Sequence, residues 1–155
     1  MKDFIVKLVA TGLFSGYGRP FSGTWGTIPA WLIAYFLIKD NPLIMGGVIV
    51  ITFILSVWSA TEAEKLFGHD AKKIVIDEWA GMFVTLILVP YSLTNYVIAF
   101  IAFRAFDVVK IPPAAQFERL PRGWGVTMDD IFAGIYANIF TQGVIYLIKY
   151  TGIGM

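Results

Sequence analysis

The chain of 155 residues contains no cysteine and one histidine, His69. The absence of cysteine excludes disulfide bonds, cysteine-ligated zinc sites and a thiol nucleophile. Charge is also scarce, because Asp, Glu, Lys and Arg make up 15% of the residues, whereas 57% are hydrophobic. These proportions indicate a membrane protein rather than a soluble domain. The net charge is +1, and basic residues alternate with acidic ones, so no nucleic-acid-binding patch is predicted.

Long uncharged runs cover residues 20–38, 42–60, 79–103 and 131–148. A helix needs roughly 20 apolar residues to span a bilayer. Pro90 is expected to split the third run into a helical hairpin, since proline removes a backbone donor. We therefore predict one domain over residues 1–155, an all-α integral membrane bundle of five to six helices, several of them short. After the N-terminal segment, the predicted helices cover residues 28–38, 43–67, 77–89, 93–109 and 129–150. A soluble, very apolar bundle is the alternative, and the charge-free run of 18 residues at positions 43–60 argues against it.

The charged residues gather in three stretches that would fall on one side of the membrane if the helices cross it back and forth. Ten of the eleven acidic residues lie in these stretches: Asp3, Glu62, Glu64, Asp70, Asp77, Glu78, Asp107, Glu118, Asp129 and Asp130. Ten of the twelve Lys and Arg residues share that side, and Lys39 and Lys149 fall on the other. This imbalance predicts a multi-pass protein whose polar loops face the cytoplasm.

A glycine-rich segment, residues 11–27, precedes the first predicted helix. Its backbone amides could approach a phosphate group, because glycine loops that lead into a helix N-terminus favour anions. Thr27 is a candidate N-cap of that helix. The alternative interpretation is a tight turn that re-enters the membrane.

Carboxylates lie at the predicted starts of two helices. Asp77 and Glu78 could cap one helix or bind a metal ion. Thr127 and Asp130 have the spacing of a capping box, which leaves Asp129 without a structural explanation. Carboxylate oxygens are the ligands that Mg²⁺ prefers.

A polar stripe follows one predicted helix, where Arg104, Asp107 and Lys110 recur every three residues. It is either an internal ladder of salt bridges or part of a functional site inside the bundle. His69, as a lone histidine, is expected to be a hydrogen-bonded loop residue more readily than a metal ligand.

Several phosphatase mechanisms do not fit this sequence. There is no cysteine, a single histidine cannot form a two-histidine relay, and there is no Asp-x-Asp nucleophile loop. Acidic ligands, cations and glycine loops on one face fit metal-assisted attack of water on a phosphomonoester. A small membrane transporter or ion-binding helical bundle is the alternative, and it would distribute its charges through the membrane depth. A lipid-binding structural subunit is a third interpretation.

The ordered motifs resemble those of the phosphatidylglycerophosphatase A family along nearly the whole chain. The motifs are Thr11-Gly12 with Gly16 and Gly18, Gly23-Thr24-Trp25-Gly26, His69-Asp70, Asp77-Glu78 with Gly81-Met82, Phe103-Arg104 with Asp107 and Lys110, and Asp129-Asp130 with Ala133-Gly134. The resemblance implies an all-helical, Mg²⁺-dependent enzyme of the bacterial inner membrane. Such an enzyme removes the terminal phosphate from phosphatidylglycerophosphate in the bilayer and forms phosphatidylglycerol and inorganic phosphate.

The resemblance and the residue chemistry together give a hypothesis for the site. The expected Mg²⁺ ligands are Asp77, Glu78, Asp129 and Asp130. The expected phosphate-binding residues are Lys110, Arg104, Gly23, Thr24 and Gly26. The expected catalytic residues are Asp107, His69 and Asp70. Membrane lipids are the expected surroundings, and homodimerisation through the helices stays open.

Overall fold

The computed structural model describes residues 2–18, 20–67, 73–112, 114–117 and 120–152. Within these residues the chain is helical and forms no strand, which confirms the all-α class. The helices are α1 (Lys2–Ala10), α2 (Ser22–Ile33), α3 (Pro42–Phe67), α4 (Ile76–Leu86), α5 (Leu93–Val109), α6 (Ala114–Phe117) and α7 (Gly123–Thr151). A 3₁₀ turn covers Ser15–Tyr17, and a π-helical turn, Ala34–Ile38, extends α2.

Two helices begin earlier than the sequence predicts, because their glycine-rich starts are helical rather than loops. Helix α2 begins at Ser22, so Thr27 lies inside the helix and is not its N-cap. Helix α7 begins at Gly123, which means that Thr127 and Asp130 do not form a capping box. The amide of Gly123 donates to the Thr61 hydroxyl on α3 at 3.1 Å, so a neighbouring helix satisfies a donor of the first turn.

The hairpin between α4 and α5 forms at the predicted proline. Pro90 lies between the two helices, and the Ser92 side chain caps α5 by accepting from the Asn95 amide at 3.1 Å. The Tyr96 hydroxyl donates to the Lys39 carbonyl at 2.7 Å. The start of α5 therefore lies beside the turn that precedes α3.

Helix α4 is the buried centre of the bundle and packs against α2, α3, α5 and α7. Its closest neighbour is α7. A Cβ atom at Gly81 would lie 2.6 Å from the Phe103 ring and 2.7 Å from the carbonyl oxygen of Asp130. Glycine is thus required for this approach, as small residues often are where apolar helices pack closely.

Helices α3 and α7 run antiparallel. The Ser56 and Thr127 hydroxyls are hydrogen-bonded at 2.6 Å, and the contact between Thr61 and Gly123 lies one turn further along. Both helices, of 26 and 29 residues, are long and apolar enough to span a membrane. In the most apolar stretch of α3 and of α7, only 28% and 22% respectively is buried inside the bundle. Most of this apolar surface therefore faces outward.

Candidate active site

Five helix ends meet around a cleft of about 360 Å³. The N-terminal ends of α2, α4 and α7 and the C-terminal ends of α3 and α5 contribute to it. The cleft is lined by Ser22, Gly23, Glu64, Ile74, Asp77, Glu78, Arg104, Asp107, Val108, Lys110, Val126, Asp129 and Asp130. Helix N-termini carry partial positive charge and free amide donors, so three of them around one space favour a bound anion.

Arg104 is held by three oxygen atoms at the centre of the cleft. Its Nη1 lies 2.9 Å from Asp107 Oδ2 and 3.2 Å from Glu78 Oε2. It also donates to the Thr27 hydroxyl at 3.3 Å. The Arg104 side chain is 20% exposed, so these contacts fix its direction and still leave part of the guanidinium open to the cleft.

The Thr27 hydroxyl extends this network between α2 and α4. It lies 2.7 Å from Glu78 Oε2 and 2.8 Å from the Gly23 carbonyl oxygen. The neighbouring glycine is spatially required, because a Cβ at Gly23 would lie 2.5 Å from Arg104 Nη2 and 2.7 Å from Glu78 Oε1. A side chain there would displace the ion pair between Arg104 and Glu78.

Lys110 pairs with Asp129 across the other wall of the cleft. Its Nζ lies 2.8 Å from Asp129 Oδ2, and the two side chains are 35% and 6% exposed. Lys110 ends α5 in the left-handed conformation, and its backbone amide donates to the Phe106 carbonyl at 2.9 Å. A lysine that is more exposed than its partner carboxylate can also reach a ligand in the cleft.

The remaining carboxylates are buried close together. Asp77 Oδ1 has no hydrogen-bond partner. Burial raises the pKa of the Asp77 carboxyl well above its usual range, and the charge of Asp129 adds to the shift. Asp130, itself buried, lies close enough to Asp107, Asp77 and Asp129 to be repelled by each of them. A cation among these groups would relieve the repulsion.

The described lining residues carry a large excess of negative charge. Six carboxylates face two cationic side chains, a formal excess of four negative charges. A phosphate dianion would be repelled by this charge in the absence of a cation. The donor chemistry and the unpartnered oxygen of Asp77 therefore fit a divalent metal ion.

Direct metal ligation by all four predicted carboxylates is not preformed. Among the described residues, no group of three carboxylate or imidazole side chains is arranged to hold a metal ion. Glu78 contacts Arg104, and Asp129 contacts Lys110. Mg²⁺ commonly takes one or two protein carboxylates and completes its shell with water and substrate oxygens, which is compatible with this arrangement.

The structure brings most of the predicted site residues together. Those that line the cleft are Gly23, Asp77, Glu78, Arg104, Asp107, Lys110, Asp129 and Asp130. Thr24 instead lines a separate apolar groove. Gly26 is buried where its Cβ would lie 2.5 Å from Val75, so it serves helix packing outside the cleft. His69 and Asp70 lie outside the described residues.

Sequence reasoning missed two polar cleft residues, Glu64 and Ser22, and the hydrogen-bonding role of Thr27. Glu64 belongs to the same charged stretch as the predicted set and lies just beyond an uncharged run. This position in the sequence could have identified Glu64 as a site residue. The role of Thr27 had no signal in the sequence, because its partner Glu78 is 51 residues away.

Comparison with known proteins identifies the family. The sequence matches phosphatidylglycerophosphatase A over residues 8–145. The chain belongs to this family. Its members include the phosphatidylglycerophosphatase A proteins of Haemophilus influenzae, 32% identical over 94% of this chain and 89% of the relative, and of Escherichia coli, 33% identical over 91% of this chain and 81% of the relative.

A third relative has a different name. A protein of Bacteroides thetaiotaomicron, provisionally named a phosphatidylinositol-3-phosphatase, is 33% identical over 88% of this chain and 91% of its own length. No solved structure matches the chain. Family and relatives together identify the chain as a phosphatase that acts on a phosphate monoester.

Proposed function

We propose that the chain hydrolyses phosphatidylglycerophosphate to phosphatidylglycerol and inorganic phosphate, with Mg²⁺, at the cytoplasmic surface of a bacterial inner membrane. The observation that carries the proposal is the cleft itself. In a member of this phosphatase family, carboxylates and cations from five helix ends meet at one end of two long apolar helices.

The position of the cleft suits a substrate that is anchored in a bilayer. Asp40 precedes α3, and Glu64 lies near its C-terminal end, about 33 Å along the helix at 1.5 Å per residue. This separation is close to the hydrocarbon thickness of about 30 Å. The cleft would then face the headgroups while the turn at Lys39 and Asp40 faces the opposite surface. The excess of Lys and Arg at the cleft end supports a multi-pass topology with this end in the cytoplasm.

Arg104 and Lys110 are the proposed phosphate-binding side chains. Arg104 can donate two hydrogen bonds to phosphate oxygens, and Glu78 and Asp107 would hold it in the required direction. Amide groups in the first turn of α2, at Ser22 and Gly23, would supply further donors, because the first amides of a helix have no intrahelical acceptor.

Asp77, Asp129 and Asp130 are the proposed Mg²⁺ ligands, directly or through water, with Glu78 at the edge of the set. Asp77 has the strongest claim, because its Oδ1 is buried without a partner. Bound Mg²⁺ would offset the charge of the carboxylates and of the substrate phosphate and would assist the attack of water.

In the proposed reaction, water attacks phosphorus and the ester P–O bond breaks, so that the glycerol oxygen leaves and takes up a proton. Asp107 could accept the proton from water. Its contact of 2.9 Å with Arg104 favours a different role, the orientation of the arginine. His69 and Asp70 are the proposed proton donors to the leaving oxygen, or would assist product release.

The substrate proposal can be tested with purified protein in phosphatidylcholine vesicles. Phosphate release would be measured from phosphatidylglycerophosphate, phosphatidylinositol 3-phosphate and soluble glycerol 3-phosphate, each with Mg²⁺ and with EDTA. We expect Mg²⁺-dependent release that is fastest from phosphatidylglycerophosphate. Preference for the inositol lipid would replace the proposed substrate, and undiminished activity in EDTA would remove Mg²⁺.

The metal site can be tested with a matched pair of variants. Asp129→Asn should abolish Mg²⁺-stimulated turnover, because it removes a buried charge from the cleft. Asp40→Asn makes the same chemical change at the opposite end of α3 and should leave activity unaltered. A fully active Asp129→Asn protein would exclude Asp129 from the ligand set.

A further inference from the structure

An apolar groove lies between α2 and α5, beside the cleft. It has a volume of about 270 Å³ and is lined by Thr24, Ile28, Trp31, Leu32, Val97 and Phe100, with no polar surface exposed inside it. Its walls are preformed. The indole Nε1 of Trp31 donates to the Tyr96 carbonyl at 2.8 Å, and the Trp31 ring stacks on Tyr35.

The groove and the cleft are adjacent on both helices that form them. On α2, Gly23 lines the cleft and the next residue, Thr24, lines the groove. On α5, Arg104 lines the cleft and Phe100 lines the groove. Residues four apart lie on the same face of a helix, about 6 Å along its axis. A molecule whose phosphate group contacts Arg104 could therefore extend an apolar chain into the groove.

This continuity selects one kind of occupant. From Thr24 to Leu32 the α2 wall extends about 12 Å, at 1.5 Å per residue. A charged cleft beside a wholly apolar groove matches an amphiphile with a phosphate head and a hydrocarbon tail. We propose that the groove binds one acyl chain of the lipid substrate and orients the phosphate headgroup toward Arg104. This proposal rests on the proposed lipid phosphatase activity.

The groove would act mainly through orientation. An acyl chain in a bilayer is already in an apolar environment, so its transfer to the groove gains little hydrophobic free energy. Fixing the chain along α2 and α5 would instead restrict the positions that the phosphate can adopt above the cleft. With short-chain substrates in water, each buried methylene also contributes about 0.8 kcal/mol, or up to about fourfold in kcat/KM.

The test compares dibutanoyl and dioctanoyl phosphatidylglycerophosphate below their micelle concentrations, with the protein held in an amphipathic polymer without added lipid. Val97→Trp and Leu32→Trp would fill the groove from α5 and from α2. Val50→Trp is the matched control, because Val50 is an exposed helical valine like Val97 but does not line the groove. Val50 is 57% exposed on α3, and Val97 is 41% exposed. We expect the ratio of kcat/KM for the octanoyl and butanoyl substrates to fall about tenfold in both groove variants and to persist in Val50→Trp.

The outcomes separate the two proposals. If native protein hydrolyses the dioctanoyl substrate without any preference for it, or if the groove variants keep the preference of Val50→Trp, the acyl-chain site is wrong and the phosphatase assignment survives. An equal loss of activity on both substrates also overturns the acyl-chain site. If native protein releases phosphate from neither substrate nor from long-chain phosphatidylglycerophosphate in vesicles, the proposed function itself fails.

Discussion

Replacement of Thr27 by valine tests whether the buried network around Arg104 supports the reaction. Valine has nearly the shape of threonine but lacks the hydroxyl, which lies 2.7 Å from Glu78 Oε2 and 3.3 Å from Arg104 Nη1. A hydroxyl has one proton, so Thr27 donates either to Glu78 or to the Gly23 carbonyl. The shorter distance and the negative charge favour Glu78 as the acceptor.

The magnitude follows from the loss of a hydrogen bond to a charged group. Such bonds contribute about 1.5–3 kcal/mol to stability, whereas neutral ones contribute about 0.5–1.5 kcal/mol. If the lost bond is expressed through the position of Arg104 in the transition state, Thr27→Val should lower kcat/KM about 10- to 150-fold, because 1.36 kcal/mol is tenfold. Thr27→Ser keeps the hydroxyl and should retain most of the activity.

A matched control separates this effect from general destabilisation. Thr85 is also a buried helical threonine, and its hydroxyl donates to the Gly81 carbonyl at 2.9 Å, away from the cleft. Thr85→Val should lower the free energy of unfolding by about 0.5–1.5 kcal/mol, as expected for a neutral hydrogen bond, and leave kcat/KM nearly unchanged. Phosphate release and thermal unfolding would be measured on all three variants. Native activity in Thr27→Val, or an equal loss in Thr85→Val, would refute the reasoning.

Two further pairs of substitutions test the cleft. Gly23→Ala should reduce activity at least tenfold, because the new Cβ would lie 2.5 Å from Arg104 Nη2. At Gly46 a new Cβ meets nothing within 4 Å, so Gly46→Ala should be neutral or stabilise α3 by roughly 0.5–1 kcal/mol. Activity and melting temperature would be measured for both variants. Glu64→Gln should weaken Mg²⁺ activation, because Glu64 lines the cleft. Glu62→Gln should not, because Glu62 pairs with Lys2 and Lys65 at the surface. Mg²⁺ titrations of phosphate release would distinguish the two variants.

Helix positions were predictable where the sequence contains strong local signals. Helix α5 begins and ends at the predicted residues, because Pro90 and Ser92 precede it and a proline follows Lys110 closely. The start of α7 was predicted six residues too late. Its Gly-Trp-Gly segment resembles a loop, and the helix is supported by contacts with α3 such as the hydrogen bond between the Gly123 amide and Thr61.

The sequence predicts which residues form the site better than it predicts which of them pair with each other. The predicted alternation of membrane crossings would place the charged stretches at one end, so the convergence of Asp77, Asp107 and Asp129 could be expected from that topology alone. The pairing of Arg104 with Glu78 could not be expected, because it depends on how α4 and α5 are rotated against each other. Charge repeats along one helix suggest only the local pair between Arg104 and Asp107, which is also present.

The contact between α4 and α7 couples the fold to the composition of the cleft. Gly81 is packed against the carbonyl of Asp130, so the approach of the two helices also sets the spacing between the carboxylates of Asp77 and Asp130. A larger residue at position 81 would move these groups apart and lessen their repulsion. Selection for stability alone would therefore favour separation, whereas the proposed cation-binding cleft would require the crowded arrangement. The close glycine contact at the buried centre of the bundle keeps the charges together at a cost in stability, as functional sites often do.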